Sequence, residues 1–195
     1  MFDQYDEISV QRDTRIQFRG RLYSIQTNQT IIGTIEETQS SAKNAGNQLL
    51  KLLSLHSVIS LEFTVRDANK EVLGMVKKGK GFSYDLALYS TLGDQLATIK
   101  SEVKWKSPSM TVIDQNNNKI LHAVGGYGGT DFKITDCSSN QPISSIRRRS
   151  FVYASIKENL LNDDAYFLYK TNLDFLTTLS LIAMTIAIDI YYFSN

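Results

Sequence analysis

The sequence is poor in the residues that define most specialised classes of protein. Its 195 residues include one cysteine, Cys137, and two prolines. A single cysteine excludes an internal disulfide and every paired-cysteine metal or redox motif. So few prolines, with 42% hydrophobic residues, exclude collagen-like and disordered chains. Neither charge dominates, because 21 Lys and Arg residues face 20 Asp and Glu residues, which argues against a dedicated nucleic-acid-binding protein.

The sequence also lacks the motifs that carry enzymatic chemistry. It contains no G-x-S-x-G, Walker or H-E-x-x-H motif. Its two histidines, His56 and His122, have no acid or thiol close by in the sequence. The start of the chain is acidic and lacks the apolar core of a secretory signal. We therefore expect a cytoplasmic protein with no catalytic activity, no cofactor and no metal site.

What the sequence does contain is a repeated strand–turn–strand unit. Four copies place Glu71, Gln95, Lys119 and Gln141 at equivalent positions, 24, 24 and 22 residues apart. Asp and Asn residues occupy the turns, since their side chains bond to nearby backbone and tolerate the left-handed region. Regular hairpins of this kind predict an antiparallel meander that forms a barrel or a sandwich, with about a dozen strands.

Two segments depart from the strand pattern. Residues 40–54 carry apolar side chains at helical spacing behind serines, which predicts an inserted amphipathic helix. Phe175–Phe193 has 19 residues, a single charge at Asp189, and apolar side chains on every face. Such a helix is either buried in protein or spans a bilayer. Burial is favoured, because Asp189 would be costly in lipid but could reach the mouth of a barrel.

A barrel of about a dozen strands is wide enough to surround that helix. We therefore predict one mainly β (α+β) domain over residues 1–195, a closed antiparallel barrel enclosing a central helix at about 173–192. The core residues of this helix are Leu179, Ile182, Ala183 and Ile186, with Asp189 near its end.

Three short basic clusters are the candidate binding residues. They are Lys77, Lys78 and Lys80; Lys104, Trp105 and Lys106; and Arg147, Arg148 and Arg149. Cationic side chains beside a tryptophan are typical of surfaces that bind anionic phospholipids. Lysine is also common on strand edges, where it discourages edge pairing. Each cluster is smaller than a usual lipid site, so the lipid interpretation requires that the fold bring them together, which the sequence leaves open.

Parts of the sequence resemble one protein family. They are Tyr23–Ile25 with Ile32–Glu37, Leu61–Asp67 with Glu71–Leu73, and Ile188–Phe193 at the end of the apolar helix. They resemble hairpins and the helix end of the tubby C-terminal-like superfamily, which includes the phospholipid scramblases and the LURP-one-related proteins. The resemblance implies a closed barrel threaded by a hydrophobic helix. Of the scramblases' proposed calcium-binding segment, Asn162–Tyr166 keeps two acids, and their proline-rich extension and cysteine cluster are absent.

These observations favour a binding module of the tubby and scramblase type. We expect it to associate with anionic phospholipids at the inner membrane surface or with a protein partner, and not with nucleic acid. Two alternatives stay open at this point. One is a tail-anchored membrane protein that spans the bilayer with residues 175–193, and the other is lipid translocation of the scramblase type.

Overall fold

Twelve antiparallel strands close into a barrel in the computed structural model, which describes residues 2–13, 20–28, 30–42, 58–150, 164–170 and 173–193. The strands are β1 (Glu7–Arg12), β2 (Leu22–Thr27), β3 (Thr30–Glu37), β4 (Leu61–Asp67), β5 (Val72–Lys78), β6 (Leu86–Tyr89), β7 (Gln95–Glu102), β8 (Ser109–Asp114), β9 (Lys119–Gly125), β10 (Asp131–Asp136), β11 (Pro142–Ser150) and β12 (Asp164–Lys170). Each strand pairs with the next along the chain. The barrel closes where β1 pairs with β12, with Glu7 opposite Tyr169 and Gln11 opposite Ala165.

The hairpin turns form as their aspartates predict. The Asp67 side chain accepts hydrogen bonds from the backbone amides of Asn69 and Glu71, both at 2.9 Å. Asp114 and Asp136 accept equivalent bonds from the amides two to four residues further on. These bonds satisfy the turn backbone locally, so each hairpin is specified by its own sequence.

A helix, α2 (Phe175–Ile188), runs through the barrel and continues as a π-helical turn, Asp189–Phe193. It begins where Asp174 caps the Thr177 amide at 2.8 Å. Every residue from 177 to 188 is buried. The Ser180 hydroxyl donates to the Leu176 carbonyl and the Thr185 hydroxyl donates to the Leu181 carbonyl, whereas the buried Thr178 hydroxyl has no hydrogen-bond partner among the described residues. The predicted barrel around a central helix is confirmed.

Close packing in the barrel core depends on one glycine in β5. A Cβ atom at Gly74 would lie 3.0 Å from a Leu179 methyl group and 3.0 Å from the Tyr89 carbonyl oxygen. The predicted core residues of the helix, Leu179, Ile182, Ala183 and Ile186, are all at most 2% exposed.

A short helix, α1 (Gln39–Ala42), starts where the amphipathic helix was predicted. The rest of that prediction, residues 43–54, lies outside the described residues.

The two ends of the barrel differ in charge. The odd-numbered strands all finish at one end, which we call the basic rim, and which also surrounds the C-terminal end of the central helix. The even-numbered strands finish at the opposite end, the acidic rim. The acidic rim carries the turn aspartates Asp67, Asp94, Asp114 and Asp136 together with Asp174 before α2. Asp85, Glu102 and Asp131 lie at the basic rim and Lys70 and Lys119 at the acidic rim, so each end is mixed, with an excess of acidic residues at the acidic rim.

Candidate functional site

The three predicted basic clusters lie on the same rim of the barrel. Lys77–Lys80 end β5 and begin the loop that follows, Lys104–Lys106 lie in the loop after β7, and Arg147–Arg149 end β11. The intervening loop after β9 joins the second and third clusters, because the Gly128 amide donates to the Trp105 carbonyl at 3.0 Å. On its other side the Arg148 amide donates to the Thr130 carbonyl at 2.8 Å. The clusters thus lie around one end of the barrel, with the first and third clusters six strands apart in the ring of twelve.

The π-helical turn at the end of the central helix contacts the loops of the first two clusters. The Tyr191 hydroxyl donates to the Tyr84 carbonyl at 2.8 Å, in the loop between β5 and β6. The Tyr192 hydroxyl donates to the Lys104 carbonyl at 3.3 Å. Both bonds run from the helix to the backbone of a rim loop, so the helix end fixes where these loops sit.

The same turn also reaches the third cluster. The Arg148 guanidinium lies 3.7 Å from the centre of the Phe193 ring, a cation–π contact. Gly129 has a φ of 69°, and a Cβ atom there would lie 3.0 Å from the Tyr192 ring. Glycine is therefore needed at this position both for the backbone conformation and for the approach of the tyrosine.

Five of the basic side chains are exposed at the rim: Lys80, Lys104, Lys106, Arg147 and Arg149. Lys104 is 2.7 Å from Glu102, and the half-buried Lys77 is 3.5 Å from Glu62. Within the described part of the chain, Lys80, Lys106, Arg147 and Arg149 form no ion pair. These four carry the charge that faces solvent.

Lys78 faces the barrel interior and has a structural role. Its side chain is 2% exposed, and its ammonium group donates to the carbonyls of Ile59, Gly79 and Gly81, each at 3.2 Å. Burial lowers the pKa of this ammonium from its ordinary value of 10.5. Lys78 therefore holds the loop after β5 against the start of β4, while Arg148 holds the helix end.

Aromatic side chains accompany the exposed cations on the rim loops. Phe82, Trp105 and Tyr127 are 79%, 61% and 67% exposed, and they lie on the loops after β5, β7 and β9. The rings of Trp105 and Tyr127 meet edge to face at 5.6 Å. Sequence reasoning identified Trp105 but missed the other two. Phe82 follows the first basic cluster directly, which is the signal that could have found it.

Beneath this surface lies a buried polar group centred on Asp189, which is 3% exposed. Its carboxylate accepts hydrogen bonds from the hydroxyls of Tyr23 at 2.8 Å and Tyr166 at 3.0 Å. The Arg12 guanidinium lies 3.4 Å away. Burial, and then the charge of Asp189, raise the pKa of Tyr23 well above 10.0 and raise that of Tyr166 as well. Both tyrosines are hydrogen-bond donors that lock the helix end to β2 and β12.

The segment Phe175–Phe193 is long and apolar enough to cross a membrane by length and composition. In the folded chain most of it is enclosed by the barrel, and Asp189 meets its partners there. The tail-anchored alternative requires this helix to leave the barrel and to break those bonds.

The fold defines a class of protein, the closed twelve-stranded antiparallel barrels threaded by an apolar helix. No protein-family model and no curated protein matches the sequence. The structure is similar to an X-ray structure of a protein from Arabidopsis thaliana, with a TM-score of 0.55 and 12% sequence identity. The similarity covers 94% of this chain and 91% of that one. At this identity it establishes the fold alone.

Proposed function

We propose that the chain is a non-catalytic binding module that attaches to anionic phospholipid surfaces through its basic rim. The observation that carries the proposal is the gathering of three basic clusters, separate in sequence, around one end of the barrel. Singly the clusters are too small for a lipid site, since such sites usually have four to eight basic residues. Together they reach that size.

The exposed charge is large enough to give useful affinity. Each basic residue near an anionic surface contributes about 1 kcal/mol. Lys80, Lys106, Arg147 and Arg149 therefore contribute about 4 kcal/mol together, which is roughly a thousandfold in affinity. Interactions of this kind are screened beyond a Debye length of about 8 Å at physiological salt, so binding is expected to be sensitive to ionic strength.

The excess of acidic residues at the acidic rim supports the same proposal. An anionic surface attracts the basic rim and repels the acidic rim with Asp67, Asp94, Asp114 and Asp136. Steering by such an asymmetric field orients a protein before contact. The expected location is peripheral, on the cytoplasmic surface of a membrane, where anionic lipids are concentrated.

We also infer membership of the tubby C-terminal-like superfamily, which includes the phospholipid scramblases and the LURP-one-related proteins. The barrel, its central helix and the Arabidopsis thaliana structure support this. The residues at Tyr23–Ile25, Leu61–Asp67 and Ile188–Phe193 add the resemblance in sequence.

The test is flotation of the purified full-length chain with vesicles. We expect binding to phosphatidylcholine vesicles that contain phosphatidylserine, clear at low salt and largely lost at high salt. Equal binding to vesicles of phosphatidylcholine alone would contradict the proposal. Recovery of the expressed protein only from membranes, resistant to carbonate extraction, would contradict it in favour of the tail anchor.

A further inference from the structure

The exposed aromatic side chains of the basic rim, Phe82, Trp105 and Tyr127, lie outside the hydrophobic core of the barrel. Phe82 is 79% exposed, although a phenylalanine is normally placed in the core. Trp105 and Tyr127 pack on each other but leave most of their surface in solvent. All three lie on consecutive loops of one rim. Phe82 is two residues after Lys80, Trp105 lies between Lys104 and Lys106, and Tyr127 packs on Trp105.

Tryptophan and tyrosine favour the interface between lipid headgroups and acyl chains, where an apolar ring and a polar edge are both satisfied. A phenylalanine on a loop next to lysines suits the same environment, because lysine can keep its charge at the headgroups while the ring enters the apolar layer. The rings are distributed over three loops around an end of the barrel and do not line a groove. This arrangement fits a flat partner better than a peptide or a nucleic-acid strand.

We propose that Phe82, Trp105 and Tyr127 enter the interfacial layer of the membrane, so that the barrel docks end-on with its axis close to the membrane normal. This inference rests on the proposed function and adds the orientation of the barrel on the membrane. The cations Lys80, Lys106, Arg147 and Arg149 then lie at the headgroups, and the acidic rim points into the cytoplasm. The central helix stays inside the barrel, with its aromatic turn behind the docking loops.

Trp105 is the only tryptophan of the chain, so its fluorescence reports on this rim alone. With phosphatidylcholine and phosphatidylserine vesicles, we expect the emission of the wild-type chain to shift to the blue. Lipids brominated at shallow acyl positions quench it more than lipids brominated near the chain ends, because interfacial segments lie only about 5–10 Å into the boundary layer. Vesicle binding without any quenching would overturn the end-on arrangement and leave the proposed function standing.

Phe82→Ser tests the aromatic contribution directly. At moderate salt, where the charges are partly screened but binding is still measurable, we expect Phe82→Ser to weaken vesicle binding about tenfold, because the variant loses part of the free energy of transferring one phenylalanine ring out of water. Leu92→Ser is the matched control, since Leu92 is 88% exposed on the opposite rim and its loss should not change binding. Both sites are exposed, so neither variant should lower the melting temperature. Equal effects of the two variants, or none from Phe82→Ser, would overturn the inference.

The same fluorescence separates the membrane from other anionic partners. Polyglutamate and single-stranded RNA are added without vesicles, and we expect neither to shift the Trp105 emission as vesicles do. A larger shift with either polymer than with vesicles would overturn the membrane assignment. Failure of the wild-type chain to float with anionic vesicles would overturn both this inference and the proposed function.

Discussion

Removal of the Tyr23 hydroxyl should destabilise the barrel far more than removal of a hydroxyl from its outer wall. Tyr23 is fully buried and donates to Asp189 at 2.8 Å. A hydrogen bond to a charged group contributes about 1.5–3 kcal/mol to stability. We therefore expect Tyr23→Phe to reduce the free energy of unfolding by about 2 kcal/mol, and Tyr166→Phe to act similarly through its 3.0 Å bond.

Removal of the shared acceptor, Asp189, should reduce the free energy of unfolding by more than removal of either tyrosine hydroxyl. Asp189→Ala leaves two buried hydroxyls and the neighbouring Arg12 guanidinium without their carboxylate. Each buried hydroxyl left without its acceptor costs about 1–3 kcal/mol, so we expect Asp189→Ala to reduce the free energy of unfolding by about 3–5 kcal/mol. Since Tyr23 and Tyr166 share one carboxylate, the double variant Tyr23→Phe/Tyr166→Phe is expected to be non-additive.

The measurement is urea-induced unfolding, with Tyr89→Phe as the control. Tyr89 lies on the outer wall, and among the described residues its hydroxyl has no hydrogen bond. We expect this variant to stay within about 0.5 kcal/mol of the wild-type chain. If Tyr23→Phe matched Tyr89→Phe, the Asp189 group would not hold the helix end, and the reasoning would be refuted.

Further predictions concern pH, the rim loop and the core. The raised pKa of Tyr23 means that above about pH 10 the tyrosine ionises in the unfolded chain before it does so in the folded one, so stability falls by up to about 1.4 kcal/mol per pH unit. In urea unfolding at several pH values, Tyr23→Phe should lack this part of the decrease in unfolding free energy above about pH 10. Lys78→Met deprives the Ile59 and Gly81 carbonyls of a donor, and we expect a loss of about 1–3 kcal/mol by the same assay. Ile182→Asp puts a charge at a position with no exposure and should abolish cooperative melting; a cooperative, unshifted melt would contradict the central helix.

The fold was predictable because its determinants are local. Three of the four repeated hairpins combine strands of alternating polarity with a turn aspartate, Asp67, Asp114 or Asp136, whose side chain accepts hydrogen bonds from the turn backbone. In the fourth, the Ser90 hydroxyl accepts the equivalent bonds. The length and apolar composition of Phe175–Phe193 indicated a helix that must be enclosed by protein or lipid. The number of strands indicated a barrel wide enough to enclose it. None of these inferences needed a contact between distant residues.

The direction of individual basic side chains was harder to predict, although the sequence held a signal. Lys78 and Arg148 each lie two residues beyond a buried residue, Val76 and Ile146, so strand alternation points them inward. Their positive charges, however, favoured an outward orientation toward solvent. At the end of the barrel, backbone carbonyls bind the inward-facing Lys78 and the Phe193 ring contacts Arg148. Because these partners are available, both side chains follow the strand alternation despite their charge.

The partners of Asp189 had no local signal at all. Tyr23 and Asp189 are separated by 166 residues, and they meet only because β1 and β12 close the barrel around the helix. The placement of the three clusters on one rim has the same origin. It follows from the up-and-down strand order and is invisible to any short stretch of sequence.

The most direct test of the account compares two variants with the same net charge. Replacement of Lys80, Lys106, Arg147 and Arg149 by glutamine removes the four cations of the basic rim that form no ion pair among the described residues, and replacement of Lys70, Lys100, Lys119 and Lys133 by glutamine removes four exposed lysines outside the three clusters. Both carry the net charge from +1 to −3. In flotation with phosphatidylserine-containing vesicles, we expect the rim variant to lose about a thousandfold in affinity and the control to change by less than about tenfold. Equal losses in the two variants would contradict binding through the rim.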